Sequence, residues 1–302
     1  MPFAPYSPEM STGRLIFYIA IGVATLAFVA GAVRAARRFQ DKRRPTPTEL
    51  GIGFGVGFFD TLGIGSFAPT TALCKFLRLV PDEHIPGTLN IGLTTPGLLQ
   101  AAIFVTAVLV DPLLLLAMVG SAAAGAWLGA GVVSRMARRP IQIGMGIALI
   151  IAGAIFVAVN LGLLPGGGTA MSLSGWRFGL AVGINFILGA LMSVGIGCYA
   201  PCMITLALLG MHPIAAFPIM MGSCALLMPV ASLRFFESRR FGWSTSWGLT
   251  LGGFIGVLVA VYLVKSLPLE TLRWLVTVVI SYAAFAMLRS ALRPPAALAV
   301  GA

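Results

Sequence analysis

Seven windows of about 20 apolar residues, the length needed to cross a bilayer, follow one another along the chain at 15–33, 88–110, 113–133, 141–164, 214–233, 243–264 and 272–288. In hydrocarbon every backbone N–H and C=O must find a partner within the protein, so windows of this length dictate helices. The expected fold class is an all-α polytopic membrane protein. Only 10% of the residues are charged and 58% are hydrophobic, against about 25% charged in soluble domains. A net charge of +11 would suggest a nucleic-acid partner in a soluble protein. Here the basic residues sit in short loops between apolar runs, where they set orientation, so the partner is the lipid bilayer and not nucleic acid. The first window is read as a retained anchor and not a cleaved leader, because six basic residues follow it between Arg34 and Arg44.

Two further apolar stretches, 49–80 and 178–209, are too long for one span and are broken by Gly and Pro. They are copies of each other at an offset of 132 residues. Without a gap, Gly51, Ile52 and Phe54 fall on Gly183, Ile184 and Phe186; Gly63, Ile64, Gly65, Ala68 and Pro69 fall on Gly195, Ile196, Gly197, Ala200 and Pro201; and Pro81 and Pro86 fall on Pro213 and Pro218. Most of these residues fix backbone shape. The same offset lays the spans starting at Thr88, Leu113 and Ile141 over those at Met220, Thr245 and Arg273. Each repeat is therefore one broken segment plus three transmembrane helices, and one extra transmembrane helix precedes both.

Charge decides their relative orientation. If each broken segment is a re-entrant helical hairpin, each repeat crosses the membrane three times and the second is inverted. Sixteen of the 20 basic residues then face the cytoplasm, with Arg14, Arg177, Lys265 and Arg273 outside. If the segments cross, Arg135, Arg138 and Arg139 move outside, against the positive-inside rule. The expectation is two inverted-topology repeats, with a periplasmic N-terminus and a cytoplasmic C-terminus. The boundaries are 1–48 for the first helix and basic linker, 49–164 for repeat 1, 165–177 for a periplasmic linker, 178–293 for repeat 2 and 294–302 for the tail.

Irregular backbone at mid-depth is tolerated only where it is buried in protein or lines a cavity. Each hairpin tip precedes a half-helix expected to start at Pro69 or Pro201, whose free N–H groups and positive dipole end face the tip. Two such ends meeting near the midplane make an anion site without a buried Arg or Lys. The candidate substrate-binding residues are Gly63, Gly65, Ser66, Phe67 and Ala68 with Gly195, Gly197, Cys198, Tyr199 and Ala200. Thr61 and Ser193 offer further hydroxyls, which suit helix packing equally well.

The duplicated glycine-rich stretch ending in Ala-Pro, Gly57 to Gly65 with Ala68-Pro69 and Gly189 to Gly197 with Ala200-Pro201, resembles the sulfite exporter TauE/SafE family (TSUP, the 4-toluene sulfonate uptake permease family). The resemblance covers most of the chain from about 49 to 292. It implies a secondary transporter moving sulfite, sulfonates, thiosulfate or related organosulfur anions across the bacterial inner membrane. An anion channel remains open, as does a membrane enzyme or sulfur carrier using Cys198 or Cys202, although no general base lies near those thiols. Among the nine acidic residues, Asp60 alone lies deep in an apolar segment, which makes it the candidate for proton coupling; capping of local backbone is the plainer alternative. The two histidines, His84 and His212, stand at segment ends without metal partners, and the glycine run at 51–57 lacks dinucleotide-binding spacing, so neither metal nor cofactor is expected.

Overall fold

Apolar residues with Arg37 and Arg38 in the last turn, where cations suit the helix dipole, form α1 (Thr12–Arg38). A capping box then starts α2 (Pro47–Thr61): the Thr46 hydroxyl accepts from the Glu49 N–H at 3.3 Å, and Glu49 Oε2 accepts from the Thr46 N–H at 2.7 Å. After a break come α3 (Phe67–Phe76), a 3-10 turn at Asp82–His84, α4 (Ile85–Ala107) and α5 (Pro112–Val133). Asp111 caps α5 by accepting from the Leu113 and Leu114 N–H groups. A hydrogen bond from the Ser172 hydroxyl, at 2.6 Å, holds its carboxyl below the usual carboxylate range. The second half supplies α6 (Gly175–Met192), α7 (Tyr199–Leu208), α8 (Pro213–Ser238) and α9 (Trp243–Ser266).

This computed structural model describes residues 12–38, 43–62, 65–107, 110–137, 168–193, 195 and 197–266, with single positions at 140, 143, 158 and 163. The spans expected at 141–164 and 272–288 lie outside the described residues. Within them the architecture is all-helical, and α1, α4, α5, α6, α8 and α9 are each long and apolar enough to cross a membrane. The long stretches at 49–80 and 178–209 are each two helices separated by a break, as their Gly and Pro content requires.

Packing sorts the helices into two parallel sets. In the first, Glu49 at the start of α2 accepts from Ser244 (2.8 Å) and Thr245 (2.6 Å) at the start of α9, and further along Gly57 lies against Gly253. On the same side, α4 runs with α9, Ser246 donating to the Thr88 carbonyl and Thr250 to that of Gly92. In the second set α5 runs with α6: Asn185 donates to the Met118 carbonyl and Ser193 to that of Ala126. Helix α8 joins it, with Gly222 beside Val119 and the Arg234 guanidinium 3.8 Å over the Trp127 ring. The sets are antiparallel to each other, since Gly87 faces Phe235, Thr94 bonds Ser232 at 3.3 Å and Gly97 faces Met228. Under the 132-residue offset α2, α4 and α9 exchange with α6, α8 and α5. Glycine makes the closest contacts: a Cβ at Gly53 or Gly57 would lie 2.5 Å from a carbonyl oxygen of Gly248 or Gly253, which no larger residue tolerates.

The core sits between α4 and α8, whose apolar windows are 72% and 78% buried, while α1 is 17% buried and presents Leu26 and Val23 outward. Both broken segments return to the end from which they started. Val80, past α3, contacts Gly242 just before α9 and so lies near the start of α2. Past α7, Leu209 accepts from Arg177 in the first turn of α6 at 3.4 Å, and His212 donates to Ala170 at 2.7 Å.

Candidate functional site

The two breaks meet inside the bundle. At the first, α2 ends on Asp60-Thr61, Gly65 adopts φ +89°, and Ser66 is the N-cap of α3. At the second, α6 ends on Met192, Gly195 adopts φ +103°, and Cys198 is the N-cap of α7. The half-helices start at Phe67 and Tyr199, two residues before the prolines expected to start them. Pro69 and Pro201 therefore sit in the first turn, where the missing N–H would have had no intrahelical acceptor. Neither Ser66 nor Cys198 caps its half-helix through its side chain.

Each tip faces the aromatic residue of the other. A Cβ at Gly65 would lie 3.5 Å from that of Tyr199, and one at Gly197 would lie 3.6 Å from that of Phe67. These two contacts are equivalent under the 132-residue offset. Phe67, Ala68, Ser66, Cys198 and Tyr199 are buried, and Ala200 lies in the first turn of α7. Gly63 lies outside the described residues.

A polar chain crosses this contact. The Tyr199 hydroxyl is 2.9 Å from Gln100 Oε1 and 3.4 Å from Asp60 Oδ2; Gln100 Nε2 donates to the Thr61 hydroxyl at 3.1 Å, and Thr61 donates to the Gly57 carbonyl at 2.8 Å. The single Tyr199 proton goes mainly to the nearer acceptor, Gln100. Asp60 is 5% exposed, and its Oδ1 has no hydrogen-bond partner among the described residues. Ser66 and Gln100 also face this carboxyl, so polar groups from three elements surround it.

The sequence-predicted residues divide accordingly. Asp60, Thr61, Ser66, Phe67, Cys198 and Tyr199 come together at the tips. Ser193 does not join them, since its hydroxyl donates to Ala126 of α5 at 3.2 Å and ties two helices. Cys202 is one turn further along α7, and the neighbour of Cys198 is Cys224 of α8, Sγ to Sγ 2.9 Å. Gln100 and Cys224 are the residues the sequence reading missed; an amide or thiol within a plain apolar span was the only signal.

The family profile of the sulfite exporter TauE/SafE proteins matches residues 6–156, half of the 302-residue chain. The chain belongs to the TauE/SafE family. No curated protein and no solved structure matches the chain. The matched TauE/SafE region contains α1 to α5, the first tip and both Asp60 and Gln100; Tyr199 and Cys198 of the second tip lie beyond it. It starts well before position 49, so α1 falls within the match. TauE/SafE proteins are membrane transporters, and six apolar helices make this member a multi-pass membrane protein.

Proposed function

We propose that the chain is a secondary transporter for a small sulfur-containing anion, sulfite, a sulfonate, thiosulfate or a related species, in the bacterial inner membrane. It is built from inverted repeats at 49–164 and 178–293 with a periplasmic N-terminus, and the anion binds between the two tips. The observation that carries this reading is the reciprocal tip contact, Gly65 on Tyr199 and Phe67 on Gly197. Two half-helix N-termini converge there, each without a side-chain cap. The antiparallel course of the equivalent helices α4 and α8 supports inversion, because a twofold axis relating antiparallel helices lies in the membrane plane.

The space between each glycine and the facing aromatic residue admits no more than about a methyl group, so this conformation is closed, and an anion enters when the tips part. Its first-turn ligands are backbone N–H groups near Phe67, Ala68, Tyr199 and Ala200, with the Ser66 and Tyr199 hydroxyls as further donors. Asp60 explains coupling. Two unit charges of one sign about 4 Å apart at an effective dielectric near 20 repel by about 4 kcal/mol, so an anion at the tips binds beside Asp60 only when that carboxyl holds a proton. Proton and anion then travel together.

Flux in sealed vesicles tests this directly. Sulfite, thiosulfate, sulfonates and sulfate are offered under imposed pH gradients. Saturable accumulation of one sulfur anion, driven by the gradient and abolished by a protonophore, is the expected result. Non-saturating flux indifferent to the gradient would favour a channel and overturn the coupled carrier.

A further inference from the structure

Outside the polar chain, one buried chemical group at the second tip has no part in the mechanism above. Cys198 and Cys224 are both nearly inaccessible, and their sulfurs stand 2.9 Å apart. A disulfide bond is about 2.05 Å long, so the two sulfurs need to approach by about 0.9 Å. Cys198 is free to make that movement because it follows Gly195 and Gly197 on the turn, at the N-cap of α7, whereas Cys224 is fixed in the middle of α8. The first repeat has no such pair: at the 132-residue offset Ser66 stands opposite Cys198 and Gly92 opposite Cys224.

We propose that Cys198 and Cys224 are a redox-active dithiol, and that their disulfide pins the second tip to α8. The oxidant is a small uncharged hydroperoxide, which suits a buried site. With hydrogen peroxide, one thiol gives up its proton and its sulfur attacks one oxygen; the O–O bond breaks, the departing hydroxide takes that proton and leaves as water, and a sulfenic acid remains; the second sulfur then displaces the hydroxyl, the S–S bond forms, and the hydroxyl leaves with the second thiol's proton as a second water. For hydrogen peroxide the balance is two S–H bonds and one O–O bond lost, with one S–S bond and two waters formed. A dithiol reductant reverses it by exchange. Tyr199 is the next residue after Cys198, so the tether also fixes the hydroxyl that reaches Gln100 and lies beside Asp60. In the oxidised form the tips stay shut.

The full-length protein in lipid nanodiscs is treated with hydrogen peroxide, its remaining thiols are alkylated after denaturation, and the digest is mapped by mass spectrometry. The expected result joins the Cys198 and Cys224 peptides, leaves Cys74 and Cys202 alkylated, slows amide hydrogen exchange at 195–202, and reverses with dithiothreitol. Cys224→Ala removes both the linkage and the slowing. Four alkylated thiols after peroxide, or a Cys198 to Cys202 linkage, would overturn the pairing; a linkage without slowed exchange would overturn the tether. In vesicles the closure rests on the transport reading above, and peroxide is expected to stop wild-type flux but not that of Cys224→Ala. Absence of any anion flux before oxidation would count against transport alone, because mapping and exchange read the thiols without a substrate.

Discussion

Asp60 lies beside a hydroxyl from the other half of the chain, at 3.4 Å, with Gln100 and Ser66 also facing its carboxyl. In the proposed cycle Asp60 is the group that carries the coupled proton, because it is the carboxyl side chain at the tips. Asp60→Asn keeps the shape and donor capacity of the neutral acid but cannot release a proton. The variant is expected to lose gradient-driven accumulation while retaining exchange of labelled for unlabelled substrate across the vesicle membrane. Accumulation at the wild-type level would leave Asp60 a structural group. Tyr199→Phe removes the donor to Gln100 Oε1, and an orphaned buried acceptor costs about 1–3 kcal/mol; thermal unfolding in detergent is expected to shift down accordingly, with no shift if the bond is not formed. Asp60 was legible in the sequence because a lone carboxylate in an apolar run is conspicuous. Gln100 was not, since its partners Thr61 and Tyr199 lie 39 and 99 residues away and no local pattern marks an amide that bridges two hairpins.

At the level of elements, glycine acts in two different ways, and substitution separates them. Gly65 has φ +89°, a region in which an L side chain is strained by about 1–3 kcal/mol, although an added Cβ would meet Tyr199 at an ordinary 3.5 Å. Gly197 has no such backbone constraint, and a Cβ there meets Phe67 at an ordinary 3.6 Å. Gly65→Val is therefore expected to abolish substrate binding while the protein still inserts, whereas Gly197→Ala keeps most of it; equal binding by both, measured by isothermal titration in nanodiscs, would sink the distinction. In the second tip the strained position is Gly195, not Gly197. That difference was invisible in the aligned repeats, where Gly63-Ile64-Gly65 and Gly195-Ile196-Gly197 are identical. The breaks themselves were legible, because clustered Gly and Pro cannot continue a helix. Their boundaries shifted by two residues because proline is accepted anywhere in a first turn.

Across the whole molecule, direction and charge agree. Helices α1, α5 and α8 end where α2, α4 and α9 begin, and that end gathers Arg37, Arg38, Arg43, Arg44, Arg135, Arg234, Arg239 and Arg240. Two contacts tie it together: Arg240 donates to the Met136 carbonyl, and the Ser244 hydroxyl, shared with Glu49, lies 3.0 Å from the Arg44 carbonyl. The opposite end carries Asp111 at the start of α5 and Arg177 at the start of α6. A bilayer around this bundle has one strongly basic face, which the proposed orientation places in the cytoplasm. Arg135 and Arg177 then lie on opposite sides, and this is the point at which inverted and parallel repeats differ most. Single cysteines at these positions, Arg135→Cys and Arg177→Cys, in a background with the four native cysteines replaced, are labelled with an impermeant maleimide in right-side-out and inverted vesicles. Arg177→Cys is expected to react from the periplasmic side and Arg135→Cys from the cytoplasmic side. If both reacted from one side, the broken segments would have to cross the membrane, the repeats would be parallel, and the two half-helix ends would no longer approach one site from opposite faces.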